Sequence, residues 1–402
     1  MLFPLPRLAG EQRMTEENKK TSVFGDSLVW FGAAVSIAEI LTGTLFAPLG
    51  MLKGTAAIVI GHVIGCILLH CAGLLGARYT RSAMETAKLT FGQRGGQVFA
   101  TLNVLQLVGW TAVMIAAGAA SSQVAYAFSC GKWVWAVIIG ALILVWVFAG
   151  IGVFEKLNIV TVILLFGLSI VLSRLVFGGN GAASSGEALR FGDALELSIA
   201  MPVSWLPLIA DYTSNSKRPQ LSSLASSAVY FVVSCWMYII GMAAAIYSGE
   251  SEIAAIMVKA GLGLGAVLIV VLSTVTTTFL DVYSAAVSSE SILSRLPRKL
   301  VAAAVCVIGV LLAIFCDTSA FENFLYLIGS VFVPMITVQI VDTLVLGRSY
   351  EGRKYVPRNL LLWGIGFILY RVVLHLNLPC GSTLPVMAAC AVLCLIFPAK
   401  KA

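Results

Sequence analysis

The sequence predicts an all-α polytopic membrane protein with twelve transmembrane helices, and three observations carry that prediction. Of its 402 residues, 59% are hydrophobic and 11% charged, against about 25% charged in an ordinary soluble domain. Apolar blocks of about 17 to 25 residues recur along the whole length, each able to cross a bilayer core of about 30 Å as a helix. The basic residues also sort to one side once those blocks are placed.

In chain order the spans are expected at 27–48, 55–77, 95–126, 133–150, 155–177, 193–211, 222–247, 262–287, 300–316, 321–346, 360–374 and 383–398. The third block exceeds what a membrane needs, which predicts tilt or a part outside the bilayer. With the N-terminus cytoplasmic, 20 of the 26 Lys and Arg residues fall inside and six outside. The inside clusters are Arg78, Arg81, Lys88 and Arg94; Arg295, Arg298 and Lys299; and Arg348, Arg353, Lys354 and Arg358. Both termini are then cytoplasmic, and the net charge of +7 is a topological signal rather than a nucleic-acid footprint.

The opening MLFPLPRLAGEQR lacks a signal peptide's order of regions, and MTEENKKTSVFGDS reads as a polar cytoplasmic lead, so Met1 and Met14 are both candidate starts. Nine cysteines without CxxC or Cys/His spacing read as packing residues. His62, His70 and His375 are scattered and suggest no metal site.

Span six reads SIAMPVSWLPLIADYT at 198–213, with Pro202 and Pro207 inside an apolar run. Proline removes a backbone donor and frees a carbonyl, which a membrane tolerates only where something else satisfies those groups. Span one carries Gly43 and Pro48 beside Glu39, Thr42 and Thr44. Five spans separate the two starts, so these segments cross in opposite directions. Broken helices at matching places in inverted halves point to a secondary transporter's central site; kinks in a packed helix are the alternative.

In span three, Asn103, Gln106 and Trp110 share one face at i, i+3 and i+7. Two amides and an indole suit a flat heteroaromatic ring, or the amides bond between helices while Trp110 packs. In span eight, Ser273, Thr277, Asp281 and Ser284 share a face, with Thr274 and Thr276 close by. Hydroxyl and carbonyl oxygens suit a hard monovalent cation, so this helix could build an ion site with carbonyls freed in span one; back-bonding within the helix is the alternative. Asp281 and Glu39 are carboxylates at depth, where a charge is costly and marks a cavity or interior partner. Glu39 could meet a substrate amine, bind a proton or cap a half-helix. Asp211, near a span end, reads as solvated or capping.

These residues carry a resemblance. WFGAAVSIAEILTG, SWLPLIADYTSNSKRP and TTTFLDVYSA are similar to the nucleobase–cation symporter-1 family, and within it to hydroxymethylpyrimidine permeases linked to thiamine precursor salvage. The resemblance implies a LeuT-type fold: a cytoplasmic tail over 1–25, inverted repeats over 26–177 and 192–347, and two accessory helices over 359–398. It implies Trp110 as the stacking surface, Gln106 as an amide reading the base, and Asp281 where the family places a substrate-binding asparagine. Thr276 and Thr277, with Ser273 nearby, take the place of sodium-ligating hydroxyls. The second aromatic of the family's sandwich falls on Pro202, Trp205 being three residues further on, so Met201, Pro202 and Ser204 are expected to line the pocket instead.

The resulting expectation is a multi-pass inner-membrane symporter that imports a small pyrimidine by alternating access, with sodium or protons as the coupling cation and no other cofactor. Hydroxymethylpyrimidine is the leading substrate, and cytosine or another nucleobase the alternative. No clustered nucleophile and base or HExxH spacing supports an intramembrane enzyme. Broken helices fit a gated midplane site better than a channel's pore ring.

Overall fold

The structure, a computed structural model, describes residues 20–149, 189–248, 263–315 and 321–397, with parts of 160–174. The N-terminal lead with both candidate starts and most of the fifth expected span lie outside the described residues. Among the described residues there are thirteen α-helices and no strand. Eight helices are long and apolar enough to cross a membrane, nine if a bent pair is counted as one span. Two shorter apolar helices, Trp133–Ala149 and Thr383–Ile396, fall where spans four and twelve are expected.

The bent pair is α1 (Val23–Ala34) and α2 (Ile37–Thr44), which meet at 45°. The break lies at Val35–Ser36, not at Gly43 and Pro48. Ser36 is the cause: its side chain accepts from the Ala38 N–H at 3.1 Å and starts a new helix as N-cap. Pro48 instead sits in a 3₁₀ turn, Ala47–Leu49, that swings the chain into α3 (Gly50–Tyr79). Gly43 lies inside α2, where a Cβ would come within 2.3 Å of the Tyr238 carbonyl oxygen.

The over-long third span is α4 (Ala83–Ala125), 43 residues kinked at Gly92, whose φ of 81° only glycine takes without strain. The freed amides of Gln93 and Arg94 donate to the carbonyls of Arg353 and Lys354, each at 2.9 Å. Glu85 and Lys88 therefore belong to a helical segment, where they pair at 2.5 Å, and not to a loop. Asp211 caps the start of α4, accepting from the Ala83 N–H at 2.9 Å.

After α5 (Trp133–Ala149) comes the second interruption. α6 (Phe191–Ser204) ends two residues after Pro202, and the chain turns through Trp205–Leu208 before α7 (Ile209–Thr213). Then follow α8 (Pro219–Ser248), α9 (Gly263–Ile292) and α10 (Arg298–Phe315). α11 (Phe321–Gln339) runs into a π-helical turn over Ile340–Val345 and is followed by α12 (Pro357–Leu376) and α13 (Thr383–Ile396).

α4 packs along α9, while α3 packs on α6 and α8. Small residues permit these close approaches: a Cβ at Gly61 or Gly65 of α3 would lie 2.4 Å from Ser198 Oγ or 2.5 Å from Pro202 Cγ. The most apolar stretch of the broken span Phe191–Thr213 is 94% buried, against 28% for α10 and α12, so this span runs through the centre of the bundle and those two helices face outward.

Two buried carboxylates tie opposite ends of α12 to the bundle. Glu196 of α6 accepts from the backbone N–H groups of Ser382 and Thr383 at 2.6 and 2.9 Å, from the Thr383 hydroxyl at 2.6 Å and from the Tyr370 hydroxyl. Asp342 accepts from Arg348 at 2.9 Å, Arg358 at 3.1 Å and Asn359 at 2.8 Å.

Candidate functional site

The two interruptions face one enclosed cavity. The first contributes Ala33, Ser36, Ala38 and Glu39; α4 contributes Leu107, Trp110 and Met114; the second contributes Met201, Ser204, Trp205 and Leu208; and α9 contributes Thr277 and Asp281. Every lining residue is buried. The lining is mostly apolar with a few polar groups, the pattern of small-ligand sites.

Five of the predicted substrate residues meet here: Glu39, Trp110, Met201, Ser204 and Asp281. Two do not. The Pro202 ring is turned to Gly65 of α3 and packs α6 against its neighbour. Gln106 spends its amide on the break itself: its Nε2 donates to the Ser204 carbonyl at 2.9 Å and to Asn103 Oδ1 at 3.1 Å. Asn103 Nδ2 in turn reaches the Pro207 carbonyl at 3.4 Å and Ser288 Oγ at 2.8 Å. The two amides thus satisfy carbonyls at the second break, the interhelical role that their spacing also allowed.

Trp205 corrects the expectation that no aromatic follows Pro202 into the pocket. Because α6 stops at Ser204, helical periodicity no longer sets the direction of the next side chain, and Trp205 turns into the cavity. Its ring is held edge-on by Trp30, centroids 5.5 Å apart, with Tyr230 at 6.4 Å. The Trp110 ring is held edge-on by Phe324 at 5.5 Å. Two indoles, from α4 and from the second break, therefore line one cavity and offer ring faces to a flat ligand.

Asp281 makes no hydrogen bond or ion pair with another described residue. A carboxylate left unpartnered at this depth costs several kcal/mol. Glu39 is in the opposite condition. Its carboxylate accepts from the Tyr230 hydroxyl at 2.5 Å and the Ser234 hydroxyl at 2.7 Å.

The predicted ion residues separate in the same way. Thr277 lines the cavity and its hydroxyl is buried without a partner. Ser273 Oγ donates across to the Val35 carbonyl in the first break at 3.1 Å, joining α9 to that break. The Thr276 hydroxyl bonds back to the Ser273 carbonyl at 2.9 Å and lies outside the cavity lining.

His62, scattered by position in the sequence, is not isolated in the fold. It lies buried on α3, its Nε2 2.6 Å from Ser234 Oγ and its Nδ1 2.7 Å from Ser198 Oγ. The signal for it was an ionisable group in the middle of an apolar span.

With this geometry in place, comparison with known proteins is informative. A family model for permeases for cytosine/purines, uracil, thiamine and allantoin matches residues 13–355. The cytosine permease of Escherichia coli strain K12 is 26% identical over 345 residues, covering 83% of this chain and 81% of that protein. The purine-cytosine permease of Saccharomyces cerevisiae is 24% identical over 390 residues, covering 85% and 72%. Among solved structures, Mhp1, a nucleobase-cation-symport-1 family transporter in a closed conformation with bromovinylhydantoin bound, matches with a TM-score of 0.79 at 19% identity over 94% and 92% of the two chains. A Na⁺-coupled sialic acid symporter in a substrate-bound outward-open state matches at 0.68 with 14% identity, over 95% and 91%. These structural likenesses show a shared helical transporter fold.

Proposed function

The chain belongs to the family of permeases for cytosine/purines, uracil, thiamine and allantoin, membrane transporters rather than enzymes, and from that premise we propose that it imports an aminopyrimidine base, cytosine first, by cation symport. Asp281 is the observation that carries the substrate class. An ionised carboxylate only accepts hydrogen bonds, and no described residue donates to this one. An exocyclic amine supplies that donor, while the carbonyls of an oxo-rich base such as uracil would face a negative charge. Trp110 and Trp205 supply ring faces for stacking, and Met201 adds apolar lining.

The relatives named above favour cytosine over the hydroxymethylpyrimidine of the sequence-based expectation. The hydroxymethyl-aminopyrimidine stays as a second reading on one observation: two carboxyl groups, Glu39 and Asp281, line the same cavity. A ring bearing an amine, a hydroxymethyl group and no carbonyl matches two acceptors better than cytosine does.

Sodium is the cation for which Thr277 argues, since an unpartnered buried hydroxyl beside the first break offers an oxygen ligand. Ser273 and the Val35 carbonyl extend that oxygen set. Thr276 takes part only by releasing its bond to the Ser273 carbonyl. The twelve-span count, the inverted repeat with its boundaries, both cytoplasmic termini and an inner-membrane location complete this reading.

Counterflow tests it. Proteoliposomes loaded with unlabelled cytosine should take up labelled cytosine faster than empty ones, and the hydroxymethyl-aminopyrimidine should compete better than uracil. No trans-stimulation by cytosine, uracil or the hydroxymethyl compound would refute the transport reading.

A further inference from the structure

From the cavity wall a line of hydrogen bonds runs back into the bundle. It begins at Glu39 on α2, passes through Ser234 on α8 to His62 on α3, and ends at Ser198 on α6 and the Ile58 carbonyl. Each link is 2.6 to 3.0 Å long, and each of the four side chains is at most 1% exposed. Four elements, including the half-helices at both breaks, therefore share one polar thread through an apolar interior. We propose that the Glu39–Ser234–His62–Ser198 thread binds one exchangeable proton that is carried with the solute, a role that rests on the transport reading above.

The argument is a count of donors and acceptors. Ser198 donates its proton to the Ile58 carbonyl at 2.7 Å, and neither oxygen then has one to give to His62 Nδ1, so Nδ1 must carry hydrogen. Ser234 donates to Glu39, so the facing Nε2 must carry hydrogen as well. That arrangement is an imidazolium opposite a carboxylate. Passing the Nε2 proton to Ser234 while the Ser234 proton moves to Glu39 gives a neutral acid and a neutral imidazole, with every bond kept. If one proton is withdrawn, the Ser198 hydroxyl turns to Nδ1, Nε2–H still donates to Ser234, and the carboxylate remains held by Ser234 and Tyr230. Both proton counts are fully hydrogen-bonded, and rotation of one hydroxyl interconverts them.

The two counts differ in charge. With the proton aboard the thread is neutral; without it a net negative charge lies beside the cavity. Among the described residues no lysine or arginine pairs with Glu39, whose partners are hydroxyls. The remaining titratable groups that face it are Tyr230, Tyr238 and Cys235 from α8 and Cys66 from α3, and each adds negative charge or none. Asp281 looks into the same cavity. Sealing a dry cavity beside an uncompensated charge is costly, whereas water in an open cavity solvates it. Closure over solute therefore favours the protonated thread, and opening toward the alkaline side releases the proton. Proton and solute strengthen each other's binding by linkage.

The test uses the full chain in proteoliposomes with labelled cytosine, acid outside, and equal sodium on both sides so that sodium supplies no drive. With one proton per solute, a gradient of about one pH unit, about 1.4 kcal/mol, sustains about tenfold accumulation, and a pH dye in the lumen reports acidification that depends on cytosine. His62→Gln and Ser234→Ala should abolish accumulation, acidification and the pH dependence of cytosine counterflow, although neither residue itself lines the cavity. Parent protein that exchanges cytosine but neither accumulates it nor acidifies the lumen overturns the proposal, as do variants that accumulate like the parent. A parent without any counterflow refutes the transport reading itself, and this proposal with it. Should the variants not be recovered folded, cytosine added to weakly buffered, detergent-solubilised parent decides the matter. Proton uptake at some pH across the carboxyl and imidazole range is expected, and none at any pH overturns the proposal.

Discussion

Replacing Asp281 by asparagine separates recognition from stability more cleanly than any other substitution at the site. The two side chains have nearly the same shape, so no void opens, and Asp281 has no described protein partner whose bond would be lost. Whatever affinity disappears therefore belongs to the ligand. A charged hydrogen bond is worth about 1.5–3 kcal/mol, and each 1.4 kcal/mol is about tenfold, so cytosine should bind about 10- to 150-fold more weakly. The melting temperature should change little, because no described protein bond is lost. Asparagine also offers an N–H₂ donor, so uracil should become a measurable inhibitor of labelled cytosine uptake. Calorimetric titration, a thermal melt in detergent and a competition series with cytosine, uracil and the hydroxymethyl compound give the three readouts. Unchanged affinity with an unchanged inhibitor ranking would refute the argument and reduce Asp281 to a structural residue.

Three further outcomes are expected. Trp110→Ala and Trp205→Ala should each weaken cytosine binding about tenfold or more, since base–aromatic stacking is worth about 1–3 kcal/mol, with phenylalanine restoring part of it; normal binding by folded Trp205→Ala would return that residue to packing against Trp30. Thr277→Val keeps the shape but removes the free hydroxyl, so the sodium concentration for half-maximal uptake should rise while cytosine affinity at saturating sodium changes little; uptake that ignores sodium in the parent would remove Thr277 from the ion path. Gly241→Ala puts a Cβ 2.0 Å from the Ile40 carbonyl oxygen and should destabilise the protein by about 1–3 kcal/mol, read as a lower melting temperature; an unchanged melt would show that α2 and α8 are not locked together.

Much of the site was legible because depth makes polarity conspicuous. Glu39, Asp281 and Thr277 stand out against apolar surroundings, and all three reach the cavity. Gln106 shows where that logic stops. Its spacing put it on the Trp110 face, but only the fold reveals that the second break ends within reach of its amide. Pro202 fails for a related reason: proline announces that a helix is interrupted and says nothing of which neighbour its ring will meet. The first break had a signal of another kind. Ser36 and Glu39 form the Ser-x-x-Glu pattern of a helix N-terminus, which marks Val35–Ser36 more sharply than Gly43 or Pro48 does. His62 was a question of what to ask, since a histidine tested only for metal partners looks idle. Gly92 is indistinguishable in composition from the glycines that only allow close packing, and its positive φ becomes necessary once the loop at 353–356 lies against it.

The clamp at Glu196 bears on how small such a machine can be made. The family match ends at residue 355, which invites trimming of the last two helices as a dispensable appendage. Yet a carboxylate at the heart of the second interrupted span draws all its donors from those helices. A chain cut after residue 356 would leave that charge stranded among apolar neighbours, a far worse defect than the loss of lipid-facing surface. The terminal pair is ballast fastened to the moving part, and a miniaturised version must either keep it or exchange Glu196 for an apolar side chain in the same step.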